Sequence, residues 1–125
     1  MKNRSIRGAF ALTLVCACMT PVYADSDVVS RVVVVETEDV EAYVGALEKG
    51  KALLKKAGST AKLRVWRARF AGEDAGTVVV TVEHANLQAL VEEDDRLADN
   101  EEWSDWLASL DDIRTIRSDS LYEEL

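Results

Sequence analysis

The stretch "VVVVETEDVEAY", Val32–Tyr43, joins an uninterrupted valine run to the start of a helix. β-branched residues favour a strand, and Asp39 before Val40 is a typical helix N-cap. The segment "VETEDVEAY" from Val35 lines up with "VEHANLQAL" from Val82, sharing the Val-Glu pair, an Asp or Asn cap and an alanine. Two copies of strand, short loop and capped helix predict a βαββαβ layout, as in ferredoxin-like domains.

The remaining patterns complete this layout and predict its sheet order. The predicted strands cover Val28–Glu36, Ala61–Ala71, Thr77–His84 and Asp112–Ser118, and the predicted helices follow caps at Asp39, Asn86 and Asn100. Strands one and three are valine runs, whereas strands two and four carry basic residues, as edge strands commonly do. Central strands that are apolar on both faces need cover on both, and two helical segments on one face leave the other bare. We therefore expect a second copy of the chain to cover that face.

The N-terminal pattern predicts export. Three basic residues stand among the first seven, the apolar stretch Gly8–Met19 follows, and Ala24 offers a small residue at a cleavage site. This predicts a signal peptide over residues 1–24, cleaved after Ala24, and a periplasmic or secreted domain over residues 25–125. Twelve apolar residues are too few for a membrane span, which needs about 20. Lipidation at Cys18 is the alternative interpretation.

Charge and composition restrict the partners and the cofactors that we expect. The first 24 residues hold three of the 15 basic residues, none of the 23 acidic ones and both cysteines, so residues 25–125 carry a formal charge of −11. This balance argues against nucleic acid or an anionic membrane as partner. Residues 25–125 hold one histidine and no cysteine, too few nitrogen and sulfur ligands for a transition-metal site, so we expect no metal and no cofactor. The acidic run Glu92–Asp95 is interpreted as a solvent-exposed helix face.

The chain resembles the dimeric α+β barrel superfamily, which contains antibiotic-biosynthesis monooxygenase-like and NIPSNAP-like domains. The resemblance rests on "VVVVETEDVEAY", "WRARFAGEDAGTVVVTVE" and "NEEWSDWLASL", and it spans Val28 to about Tyr122. It implies an α+β fold with an antiparallel sheet, helices on one face, a homodimer, and a pocket between sheet and helices. Members include cofactor-free oxygenases, isomerases and haem-degrading enzymes. The haem-degrading members use an asparagine, a tryptophan and a histidine. This set is not carried over to the present chain, because its strand one has no asparagine.

Three residues are candidates for catalysis. His84, the only histidine, lies at the end of strand three on the side of Val78, Val80 and Val82, where an imidazole could act as a base near neutral pH. Glu36 and Glu83 occupy matching repeat positions. In the predicted order strands one and three are parallel neighbours, so these carboxylates would stand about 5 Å apart, as catalytic carboxylate pairs do. The alternative is that each glutamate pairs with an arginine of an edge strand.

Two aromatic residues are candidates for binding. Tyr43 lies on the apolar face of the first helix, and Trp66 lies within "RVWRARF" of strand two. Core or interface packing is the alternative role of each. We expect a homodimeric domain that binds a small apolar or aromatic ligand. The alternative is a cofactor-independent monooxygenase- or isomerase-like enzyme that uses His84 or the Glu36/Glu83 pair.

Overall fold

The computed structural model describes residues 27–125, so the predicted signal peptide, its cleavage site at Ala24 and Cys18 lie outside the described residues. The elements follow the predicted βαββαβ order, with the second helical segment divided in two. They are β1 (Val29–Glu36), α1 (Val40–Lys56), β2 (Lys62–Arg67), β3 (Val78–His84), α2 (Leu87–Ala98), α3 (Glu101–Leu110) and β4 (Thr115–Glu123).

Each helix begins at the predicted N-cap. The side chain of Asp39 accepts a hydrogen bond from the Ala42 amide at 2.9 Å, and Asn86 and Asn100 do the same for α2 and α3. An N-cap oxygen satisfies one of the amides that the first helical turn leaves without a partner. These local signals therefore determine where the chain leaves the sheet.

The four strands form one antiparallel sheet in the order β2-β3-β1-β4. The predicted ferredoxin-like sheet is confirmed, with the valine strands in the centre and the charged strands at the edges. The expected parallel pairing of strands one and three is wrong. The α1 crossover returns β2 in the direction of β1, and the hairpin after β2 then reverses β3, which therefore runs antiparallel to β1.

The last strand begins later and runs further than the sequence pattern predicted. The segment Asp111–Ile113 forms a turn, and β4 pairs with β1 from Thr115 to Glu123. A bulge interrupts this pairing opposite Val34 and Val35. Alternation in β4 is weak because most of its side chains are polar, and the pairing with β1 determines its length.

The helices pack on one face of the sheet. Val35, Val78 and Val80 project from the central strands and form the buried core with Tyr43 and Leu47 of α1. The predicted separation of faces along β3 is confirmed, since Val78, Val80 and His84 are all buried. The loop after β1 is fixed to the loop before β4, where the Thr37 hydroxyl donates to the Ile113 carbonyl at 2.7 Å.

The opposite face of the sheet, here called the open face, lies outside this core. The alternation places Val32 and Val34 of β1 and Val79 of β3 on it, and these valines are only half-buried. Trp66 of β2 stands beside Val79 with 52% of its surface exposed, and its indole donates to the Thr81 hydroxyl at 2.9 Å. The open face is thus a mixed surface with an apolar centre.

A close contact between two helices holds α3 in place. The indole of Trp106 lies over Gly50, the buried glycine of α1, and donates a hydrogen bond to the Ala46 carbonyl at 2.8 Å. A Cβ atom at residue 50 would lie well inside contact distance of the ring. Only glycine therefore allows this approach. No helix among residues 27–125 has the length and apolar character of a membrane span.

This contact predicts opposite effects for the same substitution at two glycines of α1. Gly50→Ala should lower the free energy of unfolding by about 2 kcal/mol, because overpacking forces Trp106 from its position. Gly45→Ala is the matched control, because a Cβ there meets no atom within 4 Å. It should raise the free energy of unfolding by about 0.5–1 kcal/mol through helix propensity. Urea denaturation measures both, and equal stabilisation by the two substitutions would contradict the contact.

Candidate functional site

A cavity of about 320 Å3 lies between the sheet and α3. Its walls are largely apolar and come from all four strands, from α1 and from α3. The lining includes Val33, Leu47, Leu63, Val80, Val82, Trp103, Trp106 and Leu107. The rings of Trp103 and Trp106 lie with their centroids 4.7 Å apart and tilted by 38°. The cavity therefore offers an aromatic wall facing a wall of branched aliphatic side chains.

An ion pair forms part of the cavity wall. Arg31 of β1 donates two hydrogen bonds to the Asp119 carboxylate of β4, at 2.9 and 2.6 Å. These hydrogen bonds hold the pKa of the Asp119 carboxyl below its usual value, and the charges of Arg31 and Arg114 act in the same direction. Arg31 and Asp119 thus satisfy each other across the two strands.

Arg114 is the second arginine in the wall and is less well partnered. Its side chain is 12% exposed, and one guanidinium nitrogen donates to the Tyr43 hydroxyl at 3.3 Å. Among the described residues, the nearest carboxylate oxygen is Oδ1 of Asp111, 3.9 Å from a guanidinium nitrogen of Arg114. Its Nε is buried without a hydrogen-bond partner among the described residues. Arg114 is therefore a nearly buried cation with unused donors.

A polar groove of about 820 Å3 adjoins the cavity at the end of β1. Carboxylates and arginines line it, and Asp111 and Arg114 line both the groove and the cavity. Glu36 stands in the groove and pairs with Arg117 at 3.4 Å. Arg117 also donates to the Glu73 carbonyl at 3.4 Å. Among residues 27–125, six carboxylates line the groove and only those of Glu36 and Asp111 lie within 4 Å of an arginine, so the groove carries a net negative charge.

The expected proximity of Glu36 and Glu83 is wrong. Because β1 and β3 are antiparallel, Glu83 stands opposite Ser30, six residues from Glu36. The two carboxylates are therefore separated by about 20 Å along the sheet, at about 3.3 Å per residue. Each has a basic neighbour on an edge strand, Arg117 for Glu36 and Lys62 for Glu83 at 3.6 Å. The structure does not bring these two residues into one site.

His84 lies on the helix-covered face but outside the lining of the cavity. It is 8% exposed, and its Nε2 contacts the Glu93 carboxylate of α2. Nδ1 of His84 and Oε1 of Glu93 have no hydrogen-bond partner among residues 27–125. This buried pair links the end of β3 to α2. A catalytic role for His84 stays a prediction.

Glu93 is buried, although the sequence pattern predicted that it faces solvent. The run Glu92–Asp95 was expected to face solvent, and three of its members are exposed, but Glu93 is only 4% exposed. Helical spacing offers a signal for this difference. Leu90 and Leu97 lie three residues before and four residues after Glu93, which places all three on one face of α2.

The two predicted binding aromatics lie on opposite sides of the sheet. Tyr43 is fully buried in the core, and its hydroxyl contacts Arg114 instead of the cavity itself. Trp66 is on the open face, so the cavity is not the place where it could contact a ligand. The tryptophans of the cavity are Trp103 and Trp106. Among residues 27–125, no His, Asp and Glu side chains cluster in a way that could hold a metal ion.

Comparison with solved structures shows the fold of this chain. It is similar to the crystal structure of a NIPSNAP family protein from Agrobacterium tumefaciens, with a TM-score of 0.60 and 16% sequence identity. The match covers 79% of this chain and 90% of that chain. The predicted NIPSNAP-like, ferredoxin-like α+β fold is confirmed by this match. No family model matches the chain, and no match is found among the curated proteins.

The His84–Glu93 pair predicts a large effect on stability. His84→Ala should lower the free energy of unfolding by about 3 kcal/mol or more, because it leaves the Glu93 carboxylate buried without its partner. The double variant His84→Leu/Glu93→Leu should recover most of this loss, since two apolar residues leave no unpaired charge. Urea denaturation measures both. A His84→Ala variant as stable as the unmodified protein would exclude the structural role and favour a functional one.

Proposed function

We propose that this protein is an exported domain that binds a small apolar or aromatic molecule in the cavity between its sheet and α3. The observation that carries this proposal is the cavity itself, about 320 Å3 in volume with predominantly apolar walls. Small-molecule sites are typically concave and mostly apolar, with volumes of about 300–1,000 Å3 and a few polar groups that orient the ligand. The cavity meets each of these criteria, and its charged groups are Arg31, Asp111, Arg114 and Asp119.

The walls favour a flat, aromatic occupant. Trp103 and Trp106 present ring surfaces on the α3 side, whereas Val80 and Val82 present methyl groups on the sheet side. Aromatic rings pair favourably in offset or tilted arrangements, which gives an aromatic ligand a gain beyond simple burial. A ligand that fits the cavity gains dispersion contacts with these walls, and its binding to the folded state stabilises the fold.

We also propose that the open face pairs with the open face of a second copy. Val32, Val34 and Val79 form its apolar centre, and the described helices all pack on the other side. Burial of about 500 Å2 per chain contributes on the order of 12 kcal/mol before the costs of association. Two such faces related by a two-fold axis would close the barrel that the fold resemblance implies.

Export completes the proposal and rests on the N-terminal pattern. A basic start, an apolar stretch and Ala24 are typical of a secretory signal peptide. Residues 25–125 contain no cysteine, so the exported domain would be stabilised by packing without disulfides.

Ligand binding is tested with a substitution that fills the cavity with a larger side chain. Small aromatic compounds should raise the melting temperature of residues 25–125, because a ligand that binds only the folded state stabilises it. Val82→Phe places a ring in the cavity and should abolish this rise. Val91→Phe is the matched control, because Val91 is exposed on α2 outside the cavity lining. Thermal shift assays measure the effect. The proposal fails if no compound raises the melting temperature, or if Val82→Phe responds as Val91→Phe does.

The dimer is tested by a charge on the open face. Val34→Asp should produce a soluble monomer or an unfolded chain, because a carboxylate in an apolar interface loses its hydration. Val34→Ile should leave the dimer intact. Val91→Asp, the same change on the exposed surface of α2, is the control for added charge. Light scattering measures the mass, and a stable monomer of the unmodified chain at micromolar concentration would disprove the dimer.

A further inference from the structure

The geometry points to an anionic group on the cavity's ligand: we propose that the ligand is an apolar or aromatic carboxylate whose acid group is bound by Arg114. This inference rests on the proposed function, since it names the chemical class of the molecule in the same cavity. Arg114 is the residue suited to bind the acid group, because it is nearly buried, has unused donors and lies between the apolar cavity and the polar groove.

Arg114 has more hydrogen-bonding capacity than its neighbours use. A guanidinium carries five N–H donors in a planar fork that matches a carboxylate. One of these donors reaches the Tyr43 hydroxyl at 3.3 Å, which is a long hydrogen bond. The nearest oxygen of Asp111 stands 3.9 Å away, beyond hydrogen-bond distance. A nearly buried guanidinium with unsatisfied donors is costly unless an anion completes it.

The position of Arg114 suits a molecule with one apolar and one charged end. Arg114 lines both the apolar cavity and the polar groove. An aromatic body in the cavity, between Trp106 and Val80, would therefore place its acid group at the boundary, where Arg114 stands. The second cavity arginine, Arg31, already makes two hydrogen bonds to Asp119 and is less available for a ligand.

The carboxylates near Arg114 compete weakly with such a ligand. Asp111 is 74% exposed, so water screens its attraction to the guanidinium. Asp119 interacts with the charge of Arg114, but its oxygens accept hydrogen bonds from Arg31. A ligand carboxylate held against Arg114 from the cavity would be shielded from water, and charge-assisted hydrogen bonds are strongest in such places.

Matched pairs of probes test this inference on residues 25–125. Benzoate and naphthoate are each compared with the uncharged amide of the same shape, benzamide and naphthamide, by isothermal titration calorimetry. Each carboxylate should bind about tenfold more tightly than its amide, which corresponds to about 1.4 kcal/mol. Arg114→Met keeps an unbranched apolar stem without the charged guanidinium and should abolish this difference while the amides still bind.

Arg117→Met is the matched control. Arg117 is also an arginine of the groove, but it does not line the cavity and contacts Glu36 and the Glu73 carbonyl. Its replacement should leave the preference for carboxylates unchanged. If Arg114→Met does not fold, two other measurements test the role of Arg114. The first is the comparison of acids with amides on the unmodified protein. The second is Arg114→Lys, which keeps the charge but loses the planar fork and should reduce the preference for acids.

The outcomes separate this inference from the proposed function. Equal affinity of the unmodified protein for acid and amide would overturn the role of Arg114 and leave the cavity as a binding site. An acid preference that survives Arg114→Met, or that disappears in Arg117→Met, would also overturn it. If neither member of any pair binds at millimolar concentration, both the inference and the proposed function fail.

Discussion

The contact of the Trp106 indole with Gly50 determines where α3 can lie. Both contacts of the ring belong to α1: the ring lies over Gly50 and donates a hydrogen bond to the Ala46 carbonyl one turn earlier. α3 therefore packs on α1 and α2, and its Leu110 enters the buried core beside Val35 and Val80. The space that remains between α3 and the central strands is the cavity. The close approach of the two helices thus fixes the position of Trp106, which forms part of the cavity wall.

The elements that the sequence predicted well depend on local chemistry. N-caps at Asp39, Asn86 and Asn100 are recognisable because one side-chain oxygen satisfies a nearby amide, and valine runs identify central strands because they lack charge. The direction of β3 relative to β1 has no such local signal. It follows from the connections between the strands. The assumption of parallel strands placed Glu36 and Glu83 side by side, whereas the antiparallel pairing places them near opposite ends of β1.

The candidate site was predicted only in outline. The resemblance to the dimeric α+β barrel superfamily implied a pocket between sheet and helices. Which residues line it, among them Trp103, Trp106 and Arg114, depends on how α3 packs on α1 and on the turn before β4. Glu93 was missed because four successive acidic residues resemble a hydrated surface, and charge outweighed the helical spacing that places Glu93 between Leu90 and Leu97. The burial of a charged side chain depends on a distant partner, here His84.

The pairing of β1 with β4 also has a consequence for how the chain acquires its structure. Among residues 27–125 β1 is the first strand and β4 the last, and the Arg31–Asp119 ion pair joins residues 88 positions apart in the sequence. Contacts of such long sequence separation make folding slow, because an extended loop must close before they form. β1 therefore lacks one of its two neighbouring strands until residues 115–123 have joined the sheet. For the export proposed above, a sheet that is completed late favours a chain that is still unfolded when it reaches the membrane.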